Sequence, residues 1–177
     1  MKSFLPTLLA CALVIPSFAQ EAKTNAVPEP ASATKKMMKP IATFPMSAGV
    51  ISAPFVLTNG CISQPEQTEV AGGGKAIFSF TVTNAGNYVI VGLANAPEED
   101  ANSFYVNIDA QPEDPMMIWD IDVTTGFEER IVNWRGNGDS SSVEFAAKRF
   151  KLAAGEHKLI VVGREPAQLK SISIRPE

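Results

Sequence analysis

The chain reads as all-β, an antiparallel two-sheet β-sandwich of jelly-roll type, on three observations. Nine short segments with strand character follow one another between residues 49 and 175, punctuated by Gly, Pro, Asn and Asp. No segment has a convincing 3.6-residue period, so nothing offers the apolar stripe that a packed helix needs. The stretch AGNYVIVGLANAPEEDANSFYVNIDA, residues 85–110, shows both strand patterns that a sandwich uses. One is a continuous apolar run and the other a strict alternation.

Taken in order, the chain opens with Met1-Lys2, an apolar run over residues 4–15 and then Ser17-Phe18-Ala19. Small residues at the −3 and −1 positions predict a signal peptide, residues 1–19, cleaved after Ala19. Leu8-Leu9-Ala10-Cys11 has some likeness to a lipoprotein cleavage site, but the apolar run continues past Cys11 to Phe18, which argues for the ordinary leader. The expected location is therefore secreted, or periplasmic in the cell envelope. No later apolar run approaches the roughly 18 residues needed to cross a bilayer, so no membrane span is expected.

Residues 20–40 are poor in large apolar side chains and contain Pro28, Pro30 and Pro40 with Lys35, Lys36 and Lys39. Such a segment cannot bury enough surface to fold alone and is expected to be a flexible linker or tail. Residues 41–177 are the expected β-sandwich domain. Its predicted strands are 49–57, 75–83, 88–93, 104–109, 117–123, 129–134, 143–152, 157–164 and 169–175. Residues 88–93 are apolar enough to be buried on both faces. In residues 103–109, Phe104, Val106 and Ile108 alternate with Tyr105, Asn107 and Asp109, which predicts one face toward the core and one toward water. Between these strands Pro97 and Glu98-Glu99-Asp100 must project from the rim.

Charge and cysteine content exclude several functions. The expected domain holds 10 basic and 17 acidic residues, so a nucleic acid partner is excluded by the sign of the field. Once the leader is removed Cys61 is the sole cysteine, which forbids an intramolecular disulfide and suggests a small buried apolar side chain. A lone cysteine almost a hundred residues from the single His157 makes no catalytic pair, and His157, alternating with Leu159 and Val161, reads as a satisfied structural histidine. The acidic loop residues lack a D-x-D-x-D-G spacing, and no carboxyl is marked as a buried acid opposite a nucleophile. The chain is expected to be a non-enzyme with no cofactor and no metal.

A binding surface is the better reading. Aromatic faces stack on the C–H faces of sugars while amides, carboxylates and guanidinium groups bond the hydroxyls. The residues of that kind are Asn102, Tyr105, Asn107 and Asp109 around the alternating strand, Trp119 beside Asp120, Trp134 beside Arg135-Gly136-Asn137-Gly138, and Arg164. The two indoles are also the kind of side chain that fills a sandwich core, and Arg164 followed by Glu165 is also a simple charge pair.

Several short motifs resemble a known family in their order: Gly72-Gly73-Gly74-Lys75 through Phe80, Gly86-Asn87-Tyr88, Asn102 through Asp109, Trp119-Asp120, Leu152 through Leu159, and Gly163-Arg164-Glu165. The chain from about Ser47 to Arg175 resembles galactose-binding-like jelly-roll modules, in particular carbohydrate-binding modules of the family 6 and family 35 kind. The resemblance implies a noncatalytic β-sandwich that binds a glycan or polysaccharide through rim loops or one sheet face. It also implies a structural calcium in many members, but Ser47-Ala48-Gly49 and Leu169-Lys170 stand where acidic donors are expected. The alternative is a structural or protein-interaction sandwich of the cell envelope that kept the fold without a sugar site and contacts other envelope proteins.

The processed protein is expected to begin near Gln20, with residues 20–40 open to protease. Mass spectrometry of the exported protein and limited proteolysis check this. Resistance of that segment equal to that of the domain would move the boundary.

Overall fold

The computed structural model describes residues 39–135 and 146–177. The expected leader, all of the expected linker except Lys39 and Pro40, and residues 136–145, which include Gly136, Asn137 and Gly138, lie outside the described residues.

The described chain forms β1 (Ala42–Pro45), a single 3-10 turn (Met46–Ala48), β2 (Val50–Ser52), β3 (Val56–Thr58), β4 (Cys61–Ser63), β5 (Lys75–Val82), β6 (Gly86–Asn95), β7 (Ser103–Ile108), β8 (Ile118–Asp120), β9 (Glu128–Ile131), β10 (Phe150–Leu152), β11 (Gly155–Gly163) and β12 (Gln168–Pro176). These make two antiparallel sheets, as the sequence predicts. One has the order β10-β6-β12-β4-β3, with β1 also on β12 and β9 also on β6; the other runs β2-β5-β11-β7-β8.

The strand patterns explain the layers. In β5, Ala76, Phe78, Phe80 and Val82 are buried while Ser79 and Thr81 are exposed, a period of two with one face on the core. Central β6 is buried on both faces from Tyr88 to Gly92, in line with its unbroken apolar run. The inner faces meet in one large cluster that includes Phe78, Ile90, Phe104, Trp119, Leu159 and Ile172.

Five expectations change. The predicted strand 49–57 is interrupted at Ala53-Pro54 and splits into β2 and β3, which join different sheets, because proline lacks the N–H that a continuous ladder needs. The strands β1 and β4 were not foreseen; each is only three or four residues long and carries too little pattern. The outer face of β7 is not wet: Tyr105 is 1% exposed and packs with Ile118 and Val162 in a second apolar layer, and Asn107 is 8% exposed. Cys61 is half-buried on β4 and not a core residue.

The largest change is Trp119. It is fully buried, with its ring centroid 5.7 Å from that of Phe104, and offers no face to a ligand. It extends from β8 in one sheet to β6 in the other, where a Cβ added to Gly92 would lie 2.4 Å from Trp119 Cη2 and 2.9 Å from Leu169 Cδ1. Glycine at position 92 is the space the indole occupies.

Trp119→Ala should cost about 3–5 kcal/mol of folding free energy. Gly92→Ala should cost roughly 1–3 kcal/mol by overpacking, and less when Trp119 is already alanine. A double-mutant cycle in urea measures the coupling, and strictly additive costs would mean the two positions do not share that space.

Candidate functional site

The site begins where β7 ends. Asp109 has φ +64°, the left-handed region that a short polar side chain tolerates. Its backbone N–H donates to the Lys158 carbonyl at 2.8 Å, and its Oδ1 accepts the Lys158 N–H at 2.8 Å. Its Oδ2 lies 2.6 Å from Nδ1 of His157, whose Nε2 lies 3.0 Å from the Ala153 carbonyl. Both ring nitrogens thus face acceptors, an arrangement fully satisfied only by the imidazolium. The Asp109 hydrogen bond first, and the Ala153 carbonyl second, raise the His157 pKa above its ordinary value. The ring also packs against Phe80, with centroids 5.6 Å apart.

Beside this clamp stands Trp134. Its Nε1–H donates to the Val106 carbonyl at 2.8 Å, and its ring meets Phe150 edge-on at 5.7 Å between centroids. The chain around it is fixed by buried Asn133, which accepts the Asp120 N–H at 2.9 Å and donates to the Asp120 carbonyl at 2.8 Å. Asn133 also bridges to Ala147, and the Lys148 N–H donates to Val132 at 2.9 Å, so Lys148 is brought next to Trp134. The Lys148 ammonium lies 3.8 Å from the centroid of the Trp134 ring. Burial lowers its pKa.

Two depressions meet at Asp109. One, of about 470 Å³, is lined by Ser79, Phe80, Thr81, Asp109, Glu156, His157 and Lys158. The other, of about 260 Å³, is lined chiefly by Asp109, Trp134, Lys148, Arg149 and Phe150. Together they offer hydroxyls, charges and an indole on one rim, the mix that orients a polar ligand. Among the described residues no three His, Cys, Asp or Glu side chains are grouped to hold a metal ion.

Of the residues expected to contact a sugar, only Asp109 and Trp134 come together on this rim. Asn102, Tyr105 and Arg164 lie toward the other end of β7. Arg164 Nη1 donates to Ser103 Oγ at 2.7 Å and to Glu165, and the Asn102 N–H donates to Glu165 Oε2 at 3.1 Å. Six strand residues at about 3.3 Å each separate the two ends by close to 20 Å, beyond the reach of one sugar ring. Asn107 lies between them with its Oδ1 accepting the Ile108 N–H at 2.8 Å, and Trp119 is core. Burial raises the Tyr105 pKa, with Asp114 adding to the effect. Lys148 and Arg149 were missed, although Lys148-Arg149-Phe150-Lys151 is a basic run in an otherwise acidic domain.

The His157 shift has a direct consequence for stability. A pKa raised on folding contributes stability that is fully present below about pH 6.5, the unfolded value, and that is lost as pH rises through the higher folded value. The melting temperature should therefore fall across that window, and His157→Gln or Asp109→Asn should remove this component. Identical pH slopes in wild type and both variants would show that the clamp does not titrate.

No protein-family model matches the chain, and no curated protein matches it in sequence. Solved structures do match. A native family 35 carbohydrate binding module from Clostridium thermocellum superposes with TM-score 0.53 at 8% identity, covering 75% of this chain and 95% of that one. The C-terminal CBM6 of the marine laminarinase LamC from Zobellia galactanivorans gives TM-score 0.51 at 11% identity, with 76% and 98% covered. The GH26-CBM35 β-(1,4)-mannanase of Podospora anserina gives 0.53 at 13% identity; the match takes 77% of this chain but spans only 27% of that longer one. At these identities the likeness is one of fold, and the fold is the β-sandwich of carbohydrate-binding modules of the family 6 and family 35 kind.

Proposed function

We propose that this protein is an exported, noncatalytic, carbohydrate-binding-module-like protein that holds a glycan on the rim where β7 ends. The observation that carries this reading is the position of Trp134, a half-buried indole bordering a depression that it shares with Asp109, Lys148 and Arg149. An aromatic body supplies contact area for a sugar ring, and the flanking charges supply directional hydrogen bonds to its hydroxyls. The neighbours in fold named above are glycan-binding modules or contain one, which supports the same assignment. Among the described residues of the rim none is set up as a nucleophile with its base, since His157 has both nitrogens engaged.

A second reading, a structural or protein-interaction sandwich of the envelope, draws on a different observation. The edge strand β3 exposes Val56 at 55% and Leu57 at 43%, apolar area on a strand with one side unpaired among the described residues.

A glycan array on the full chain, followed by affinity electrophoresis in gels containing the polymers that score, tests the first reading. Trp134→Ala should weaken retention about tenfold, the effect of losing one stacked ring, while circular dichroism still reports the folded sandwich. Absence of any glycan binding by the wild-type chain would give first place to the second reading.

A further inference from the structure

We infer that the rim around Trp134 selects glycans bearing an anionic group, a carboxylate or a sulfate ester, and that Lys148 is the residue that selects. The inference deepens the glycan-binding reading and rests on it.

The domain is acidic, with 17 acidic against 10 basic residues from position 41 onward. The Trp134 depression has the opposite character among the described residues: Lys148, Arg149 and Lys151 line it, and Asp109 is the single acid of that described lining. That acid is already engaged, with one oxygen at His157 and the other on the Lys158 N–H. Arg149 is engaged as well, 2.6 Å from Glu177.

Lys148 differs from both. Its ammonium lies over the Trp134 ring at 3.8 Å and 5.9 Å from the Phe150 centroid, and among the described residues it forms no ion pair. A partly buried ammonium resting on rings keeps only part of what it lost in leaving water. The depressed pKa of Lys148 reports that incomplete compensation.

An arriving anion changes the balance. A carboxylate or sulfate oxygen on a sugar seated in the depression would pair with the ammonium in a partly desolvated place, where a charge-assisted bond is stronger than at an open surface. A neutral sugar supplies no such partner, and it must compete with the lysine for the indole face. The net negative charge of the domain opposes nonspecific attraction of polyanions, so their retention requires a local cationic site.

The probes are matched pairs: polygalacturonate against its fully methyl-esterified form, and carrageenan against agarose, alongside the array. The full chain should be retained by a carboxylated or a sulfated polymer, by the former, the latter or both, and about tenfold less by the neutral counterpart, with retention falling as salt rises. Lys148→Met should lower retention on the charged polymer about tenfold, Lys148→Arg should keep it, and melting curves verify that both variants are folded. Should Lys148→Met fold poorly, Lys148→Gln takes its place beside Lys148→Arg. Equal affinity for charged and neutral partners, binding confined to neutral array glycans, or unchanged binding when position 148 loses its charge overturns the anionic selection and leaves the glycan-binding reading intact. Failure to bind any glycan overturns both.

Discussion

The contact between Trp119 and Gly92 is the constraint on which the rest of the molecule depends. Two sheets of a sandwich lie about 10 Å apart, and a side chain that spans the gap fixes their spacing and their relative shift. Trp119, on the edge strand β8, does this by placing its six-membered ring where a Cβ of residue 92 would be. Burying the indole fixes the next residue too. Asp120 lies at the sheet edge with its backbone held by the Asn133 amide and its carboxylate held by Arg135 Nε at 3.0 Å and Nη2 at 2.6 Å. From Asn133 the chain continues directly into Trp134. The tryptophan that is core therefore positions the tryptophan that is at the rim.

Strand β7 divides the polar groups between two ends. At its start Ser103, Arg164 and Glu165 form a compact cluster in which each charge has its partner, with the Arg164 and Glu165 side chains 16% and 7% exposed. At its end Asp109 leaves the strand in the left-handed region and turns back onto β11. Charged pairs that are this buried and this well matched are scaffold, because exchanging them for a ligand would leave one member unpaired.

Much of the fold was legible because burial imposes period. Residues 75–83 alternate, residues 88–93 and 159–162 are continuously apolar, and these become β5, the central β6 and the inner part of β11. The site was less legible for the same reason in reverse. Alternation in residues 103–109 marks two faces but does not say whether the second is covered, and the covering layer comes from Val70, Ile118, Ile160 and Val162, distant in sequence. A hint was present: Ile160 and Val162 are apolar on the face of β11 opposite Leu159 and Val161, which a wet outer face would not require. Trp119 and Trp134 look alike as sequence, each beside polar neighbours. Only Gly92 on a facing strand decides which one is core, and pairwise spacing of that kind leaves no local pattern.

What remains at the rim is an unequal division of electrostatic satisfaction. His157 has an acceptor at each nitrogen, Asp109 a donor at each oxygen and Arg149 a carboxylate, and each of these gains little from an added partner. Lys148 has aromatic faces and no carboxylate among the described residues. A ligand gains free energy where the apo protein has left a charge incompletely compensated, since satisfied pairs must first be broken before they can contribute. The satisfied half of the rim therefore acts as framework, and it is rigid because Asp109 binds two consecutive residues of β11. The Lys148–Trp134 half is where an incoming anion can add an ion pair without breaking one among the described residues. On the reading proposed above, that asymmetry makes one cation, in a domain of opposite net charge, the point at which specificity is set.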